Sequence, residues 1–478
     1  MSEIEFSGLE LPFSKPFFLG IGGSGMSSLA HILIDLGMPV AGYDGKKSST
    51  TAELEKKGAK IYGRHDEIPA SFDAAIYSSA VKIGAHPVAN IFEKRNIPFY
   101  HRSRVLHDCF SHRIGIAVAG SHGKTTTAAM TSFLLDAVGM DPSVMVGGEV
   151  AFLGGKGGRF GSGEFAVFES DESDGTFLNH DAPIRILTNI DDDHLDYFKT
   201  RENLLAAFGE FVRKGSRRVI LNLDDPGIRE CLHSVDTRER IFGFTEILPD
   251  GWSKSMQSAA SDSSVPYKLE SGTLTFLYRA EEISFRSKFP GAHYLRNSLA
   301  AVMAGIEAGI PAKRGAEVVS GYSGVKRRLE FMGSKSGVDV YDDYGHHPTE
   351  VRAVLASMRE MSATGGKTIV LFQPHRYTRT ENLYKEFAES LDTGDLVYLL
   401  PIYSAGEDPI SGVGSELIAK SMKKKVQILS EDVQAGCKEL SLCLEKGDKL
   451  LTLGAGNVRD WGLQFLSYSK ADSGISPV

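Results

Sequence analysis

A β-rich run from Ile114 to Ala119 empties into Gly120-Ser121-His122-Gly123-Lys124-Thr125-Thr126. A helix-like run follows, with apolar Met130, Phe133, Leu134, Ala137 and Val138. No other stretch restricts the fold as much. A strand that passes through glycines into a helix N-terminus is one layer of an α/β sheet, and it is the setting a phosphate cradle needs. Glycines let backbone N–H groups converge on oxyanions, a lysine adds a point charge, and a hydroxyl reaches a divalent cation. The longer form of such loops has a further glycine five positions before Gly123, where Val118 stands, so this is a short Gly-x-x-Gly-Lys-Thr loop. The plainer alternative is an ordinary βα turn capped by Thr125.

At 478 residues the chain exceeds the size at which one core usually suffices, and two or three domains are expected. Apolar residues make up 42% and charged ones 24%, an ordinary soluble composition. The net charge of −8 speaks against a general nucleic-acid or anionic-membrane surface, but leaves room for a local basic pocket that takes a phosphorylated small molecule. Cys109, Cys231, Cys437 and Cys443 show no Cys-x-x-Cys spacing, so free thiols in a reducing compartment are expected. Acidic Glu3 and Glu5 stand where a leader would be basic, and no apolar run nears the ~18 residues that span a bilayer. These features predict a cytoplasmic chain with no nucleic-acid or membrane partner.

Three blocks follow one another, each opening on strand-like sequence. In the first, over 1–113, Phe17–Ile21 reads as a buried strand followed by the Gly20–Gly25 loop, an apolar helix, a second strand Pro39–Tyr43 ending at Asp44, and a later strand Ala74–Tyr77. Strand, glycine loop, helix, strand and acid is a Rossmann-like βαβ arrangement. The second block, 114–326, opens with the phosphate loop and continues with strands at Phe165–Phe168, Arg185–Thr188 and Arg218–Leu221. Between Leu248 and Glu282, serines followed by alternating residues in Leu274–Tyr278 read as a solvent-exposed β excursion. In the third block, 327–478, strands at Val338–Tyr341, Thr368–Phe372, Leu396–Leu400 and Leu450–Leu453 alternate with helical segments, which argues for a parallel sheet between helices. A glycine turn, Gly454 to Asn457, follows the last strand, and the tail after Tyr468 is expected to be mobile.

Polar clusters sit just past several of these strands, at the edge where open α/β sheets bind ligands. Glu169-Ser170-Asp171-Glu172-Ser173-Asp174 places four acids in six residues, which repel one another unless a cation or basic partner is close. Hard cations take oxygen ligands, so a metal is the favoured reading over a solvated acidic loop. Asn189 to Asp196 includes His194, able to bind a metal, receive a proton or serve structure. Asp342-Asp343-Tyr344-Gly345-His346-His347-Pro348-Thr349 joins paired acids and histidines to a helix start. Arg376 and Arg379, three apart, share a face if helical and can grip one carboxylate or phosphate. The Gly20–Gly25 loop with Asp44 about 20 residues on is the dinucleotide pattern, yet a second phosphate loop has no place in a dehydrogenase, and another diphosphate fits the glycines equally well.

In this order and over nearly the whole chain, these motifs resemble the Mur ligases of bacterial cell-wall synthesis, and within them the branch that adds L-alanine. The residues that carry the resemblance are Gly22-Gly23-Ser24-Gly25-Met26-Ser27, Gly120–Thr126, Glu169–Asp174, Asp192-Asp193-His194, Asp342–Thr349 and Phe372–Thr380. The resemblance implies an α/β protein of three domains: an N-terminal Rossmann-like domain for the UDP-sugar, a central phosphate-loop ATPase-like domain, and a C-terminal Rossmann-like domain for the amino acid. It implies ATP and Mg²⁺ as cofactors, UDP-N-acetylmuramate and L-alanine as substrates, and a monomer or homodimer.

Residue by residue, the resemblance puts the UDP-sugar on Gly22 to Ser27, Asp44, Ser78 and Ser79. ATP falls to Gly120, Ser121, His122, Gly123, Lys124, Thr125 and Thr126, with His293 and Asn297 at the adenine. Thr125, Glu169 and His194 match metal positions, Lys124 the contact to the γ-phosphate, and Arg328 with Asp343 a pair that reaches ATP. The amino acid is assigned to Tyr344, His347, Arg376 and Arg379. Other Mur ligases carry a carbamylated lysine where Ala206-Ala207-Phe208 stands, and the L-alanine-adding branch shares this departure. A ligase that attaches a tripeptide to the same sugar nucleotide is the near rival, with Glu172-Ser173-Asp174 and His346-His347 favouring the single amino acid. A dinucleotide-binding sensor without turnover would leave the clusters around His194 and His375 purposeless.

Overall fold

The computed structural model describes residues 9–235, 240–246, 264–362 and 365–467. The chain divides into two compact units, one of residues 1–288 with 295–325 and one of 289–294 with 326–478. The first unit holds two sheets. Strands β1 (Pro16–Leu19), β2 (Ala41–Tyr43), β3 (Lys60–Tyr62), β4 (Ala74–Tyr77) and β5 (Phe99–His101) pair in parallel in the order β3-β2-β1-β4-β5. Phe17, Phe18 and Leu19 are fully buried because helices cover both faces of a parallel sheet. The order reverses at β1, so the glycine loop after β1 and Ser78-Ser79 after β4 flank one crevice.

The second sheet comprises β6 (Ile114–Ala119), β7 (Ser143–Val150), β8 (Lys156–Arg159), β9 (Phe165–Glu169), β10 (Ile184–Leu187), β11 (Arg218–Asn222), β12 (Ile241–Glu246), β13 (Ser264–Glu270), β14 (Thr273–Tyr278) and β15 (Glu281–Arg286). Its order is β15-β14-β13-β12-β11-β10-β6-β9-β7-β8, again reversing at the strand that feeds a glycine loop. The expected exposed excursion is a correction. β13 extends the sheet in parallel beside β12, and β14 and β15 fold back as its antiparallel edge. Val265, Tyr267, Leu274 and Phe276 are buried, since strand alternation gathers them on one apolar face. Residues 248–263 of that stretch lie outside the described residues. The two sheets of this unit are stitched together: Ser28 Oγ, on the helix Ser24–Asp35, donates to the Val146 carbonyl of β7 at 2.9 Å.

The second unit holds β16 (Glu330–Lys335), β17 (Val338–Asp343), β18 (Thr368–Phe372), β19 (Leu396–Leu399), β20 (Gln427–Ile428) and β21 (Lys449–Leu453), in the order β16-β17-β21-β18-β19-β20. All pairs are parallel except β16 with β17. The loops after β17, β21 and β18 therefore leave the same end of three adjacent strands. Asp342 and Asp343 belong to β17 itself, not to the loop beyond it. Among the described residues no helix is long and apolar enough to cross a membrane, and the tail expected to be mobile lies outside them.

Candidate active site

β6 ends at Ala119 and the chain turns through Gly120 at φ 129° and Gly123 at φ 80° into the helix Lys124–Ala137. Both glycines are required. A Cβ on Gly120 would lie 2.2 Å from Thr188 Oγ1, and one on Gly123 3.0 Å from Asn297 Nδ2. The segment after β10 braces the loop. Thr188 Oγ1 and Asn189 Nδ2 donate to the His122 carbonyl at 2.6 and 2.8 Å, and the His122 N–H donates to Asn189 Oδ1 at 2.8 Å. Ser121 Oγ accepts from the Asp191 N–H at 2.9 Å, and His122 Nε2 lies 3.1 Å from Asp191 Oδ2. Thr126 is buried. The first residues of the cluster at 189–196 thus shape the phosphate loop.

Lys124 lies over this loop. Its ammonium donates to the Gly120 carbonyl at 2.7 Å, the Ser121 carbonyl at 3.1 Å and Glu172 Oε1 at 2.7 Å. Burial opposes its charge, but Glu172, Asp171 and Glu169 outweigh that and hold the lysine above its ordinary value. Burial pushes the Glu172 carboxyl up, and the Lys124 ammonium 2.7 Å away pulls it back toward the carboxylate. Thr125 Oγ1 donates to Glu169 Oε2 at 2.9 Å, and the same oxygen accepts the Gly147 N–H at 2.8 Å. His194, in the left-handed region at φ 57°, places Nε2 3.7 Å from Asp193 Oδ2 and 4.0 Å from Glu172 Oε1. A hydroxyl and a carboxylate in contact beside a phosphate loop are the hard donors a divalent cation takes, so Thr125 and Glu169 fit one.

The acids at 169–174 do not converge on one ion. Glu169 and Glu172 turn to the phosphate loop, whereas Asp171 Oδ2 receives Arg102 at 3.2 Å, and Asp174 receives Ser79 and lies 3.9 Å from His101 Nε2. Basic partners take up Asp171, Glu172 and Asp174, which leaves Glu169, met by Thr125 and the Gly147 N–H, as the acid of this cluster that fits a cation. The same contacts locate the first crevice. Arg102 lies against Gly25, where a Cβ would fall 2.9 Å from its NH1 nitrogen, and Gly22 donates its N–H to Asp44 Oδ2 at 2.9 Å. Gly23 caps the helix that Ser24 opens, Ser78 follows β4, and Met26 and Ser27 are buried in the first turn of that helix. Arg102 was not foreseen. It sits between His101 and Arg104, and nothing in the sequence separates the inward arginine from the solvated one.

In the second unit Arg328 occupies a left-handed turn between Arg327 (φ 60°) and Leu329 (φ 47°). Asp343 fixes that turn: its oxygens accept the Leu329 and Gly345 N–H groups at 2.7 Å each, and burial raises its carboxyl to about 6. Arg328 and Arg327 both lie over the Tyr344 ring, 5.4 and 5.0 Å from its centre. Arg327 also donates to Asp342 Oδ2 at 3.2 Å and to the carbonyls of Gly454 and Gly456 at 2.7 and 3.1 Å. One expectation is corrected here, that of a shared helical face for Arg376 and Arg379. His347 is buried as the N-cap of the helix Pro348–Met361, accepting the Thr349 N–H, because a polar residue before Pro348 is the natural helix start. Arg376, at φ 69°, precedes the helix Tyr377–Leu391, so it does not share a helical face with Arg379. Arg379 instead reaches His375 Nδ1 at 3.5 Å, and His375, stacked on Tyr403, is lowered to about 4 by burial and then by Arg379 and Arg376. His293 belongs to this unit, and Asn297 to the first.

Comparisons with known proteins bear on this arrangement. Three family descriptions match in order: the Mur ligase family catalytic domain at residues 17–113, the Mur ligase middle domain at 118–305, and the Mur ligase glutamate ligase domain at 327–456. The UDP-N-acetylmuramate–L-alanine ligase of Dictyoglomus turgidum is 36% identical over 96% of this chain and 97% of its own. That of Bdellovibrio bacteriovorus is 38% identical over 96% of this chain and 100% of its own. The crystal structure of UDP-N-acetylmuramate-alanine ligase from Thermotoga maritima shares the fold, with a TM-score of 0.77 at 24% identity over 96% of this chain and 100% of that one. Matched in all three segments and by relatives aligned almost end to end, the chain belongs to the Mur ligase family.

Proposed function

We propose that this chain joins L-alanine to the lactyl carboxylate of UDP-N-acetylmuramate in peptidoglycan precursor synthesis, cleaving ATP to ADP and phosphate. The observation that carries the reading is near-complete coverage by relatives of that activity at 36% and 38% identity, and the braced lysine loop agrees with it. The sugar nucleotide is assigned to the crevice of 1–113, ATP to 114–326 and the amino acid to 327–478. Thr125, Glu169 and His194 would hold Mg²⁺, which supplies positive charge beside the phosphates. The lactyl carboxylate attacks the γ-phosphorus and ADP leaves, giving an acyl phosphate. The neutral amine of L-alanine then adds to the acyl carbon, its nitrogen releases a proton, and the tetrahedral adduct breaks its C–O bond to expel inorganic phosphate. The first step brings anion onto anion, a repulsion of about 4 kcal/mol at 4 Å and an effective dielectric of 20, which Lys124 is placed to offset. Arg376 and Arg379 supply guanidinium groups for the amino-acid carboxylate, and the turn that Asp343 fixes presents Arg328.

The test is ADP formation from ATP and UDP-N-acetylmuramate with one amino compound at a time. Turnover is expected with L-alanine and not with the tripeptide. Turnover with the tripeptide alone, or ADP release indifferent to the sugar nucleotide, would overturn the assignment.

A further inference from the structure

The geometry points to a role for Glu172, resting on the nucleotide reading of the phosphate loop. Its carboxylate is the counter-ion that the terminal phosphate of an incoming nucleoside triphosphate displaces from Lys124, and it thereby holds down the affinity for triphosphate relative to diphosphate. An ammonium has three protons, and here the Gly120 carbonyl, the Ser121 carbonyl and Glu172 Oε1 take all three. A phosphate oxygen can engage Lys124 only if one acceptor lets go. The two carbonyls belong to a loop whose shape Thr188 and Asn189 hold. The third acceptor is a side chain.

Glu172 is 1% exposed, and its Oε2 makes no hydrogen bond among the described residues, so its pairing runs through the oxygen that faces Lys124. Its segment cannot swing away. Asp171 is tied to Arg102 and accepts the Ser173 N–H, the Glu172 carbonyl accepts the Gly175 N–H at 3.0 Å, and Asp174 is held by Ser79 and by the Thr176 N–H at 3.0 Å. A tethered anion beside the lysine therefore opposes a terminal phosphate at close range and a diphosphate, which ends one phosphate short, far less.

The experiment is calorimetric titration of the full chain with ATP and, separately, with ADP, in EDTA without metal. Glu172→Gln keeps an oxygen for Lys124 but removes the charge, and is expected to tighten ATP roughly tenfold while shifting ADP less than about threefold. Glu172→Asp, which keeps the charge, should stay within about threefold of the wild type for both. Glu172→Ala serves as a second neutral variant should the glutamine one not fold, with the same direction expected. ATP binding unchanged or weakened in a folded neutral variant overturns the role, as does equal tightening of ATP and ADP. A wild-type chain that binds neither nucleotide overturns the phosphate-loop reading itself, and this role with it.

Discussion

Removing the lysine of the phosphate loop has two separable consequences. Lys124→Ala deletes the charge that offsets the approach of two anions, so L-alanine-dependent phosphate release should fall by at least about 10³-fold. It also strands a buried carboxylate, and breaking a buried pair from one side costs about 3–5 kcal/mol, so the first unit should melt at lower temperature. Binding of UDP-N-acetylmuramate, on a different crevice, should survive in the folded variant, and turnover retained near the wild-type rate would sink the assigned role. At this scale the residue types were legible but not all of their duties. His347, read as a ligand to substrate, also caps a helix, a duty that draws on the same polar side chains and that the sequence does not distinguish. Asp343, read with Arg328 as a pair that reaches ATP, also holds the turn that carries Arg328 through both its oxygens, a duty that shows only in the fold.

Strand and loop together show why some elements were readable and others not. β6, β9, β10 and β18 were foreseen to within a residue or so, since a central parallel strand is an unbroken apolar run. β13 to β15 were misplaced because alternation marks a one-sided strand without saying whether its apolar face meets solvent or a neighbouring sheet. The brace after β10 was equally hidden: Asn189 reads as one more polar residue, and only the fold brings it 67 residues back in sequence to His122. Both of its amide atoms bond the His122 backbone, one accepting and one donating. Asn189→Ala should therefore cost about 1–3 kcal/mol and loosen the loop. In steady-state kinetics the KM for ATP should rise about tenfold, a shift of about 1.4 kcal/mol, while the KM for UDP-N-acetylmuramate stays put. Equal rises in both constants would mean that the residue supports the unit as a whole and not the loop.

Across the whole chain, three sequence blocks become two compact units because the first two blocks interlock, and that interlocking buries ionisable groups whose titration was invisible in the sequence. His180 packs its ring 5.0 Å from Phe168 at the foot of the central sheet. Burial, followed by the charges of His107, Arg102, Arg185 and His101, lowers it to about 3. His31, on the helix that meets β7 and β8, is lowered to about 4 by burial, then by Lys156 and Lys57. For both, the folded value lies below the ordinary 6.5, so the unfolded chain binds the proton that the folded one refuses. Stability from these neutral imidazoles is complete above pH 6.5 and drains as pH falls toward 3 or 4, at up to about 1.4 kcal/mol per pH unit for each histidine. Other groups titrate over the same range, so the informative quantity is the difference between wild type and a variant that cannot take up the proton. His180→Gln loses some packing and should start less stable at pH 7. Between pH 7 and pH 5 it should then lose about 2 kcal/mol less than the wild type in urea unfolding of the full chain. Parallel losses in the two proteins would show that the buried imidazole does not govern this part of the acid response.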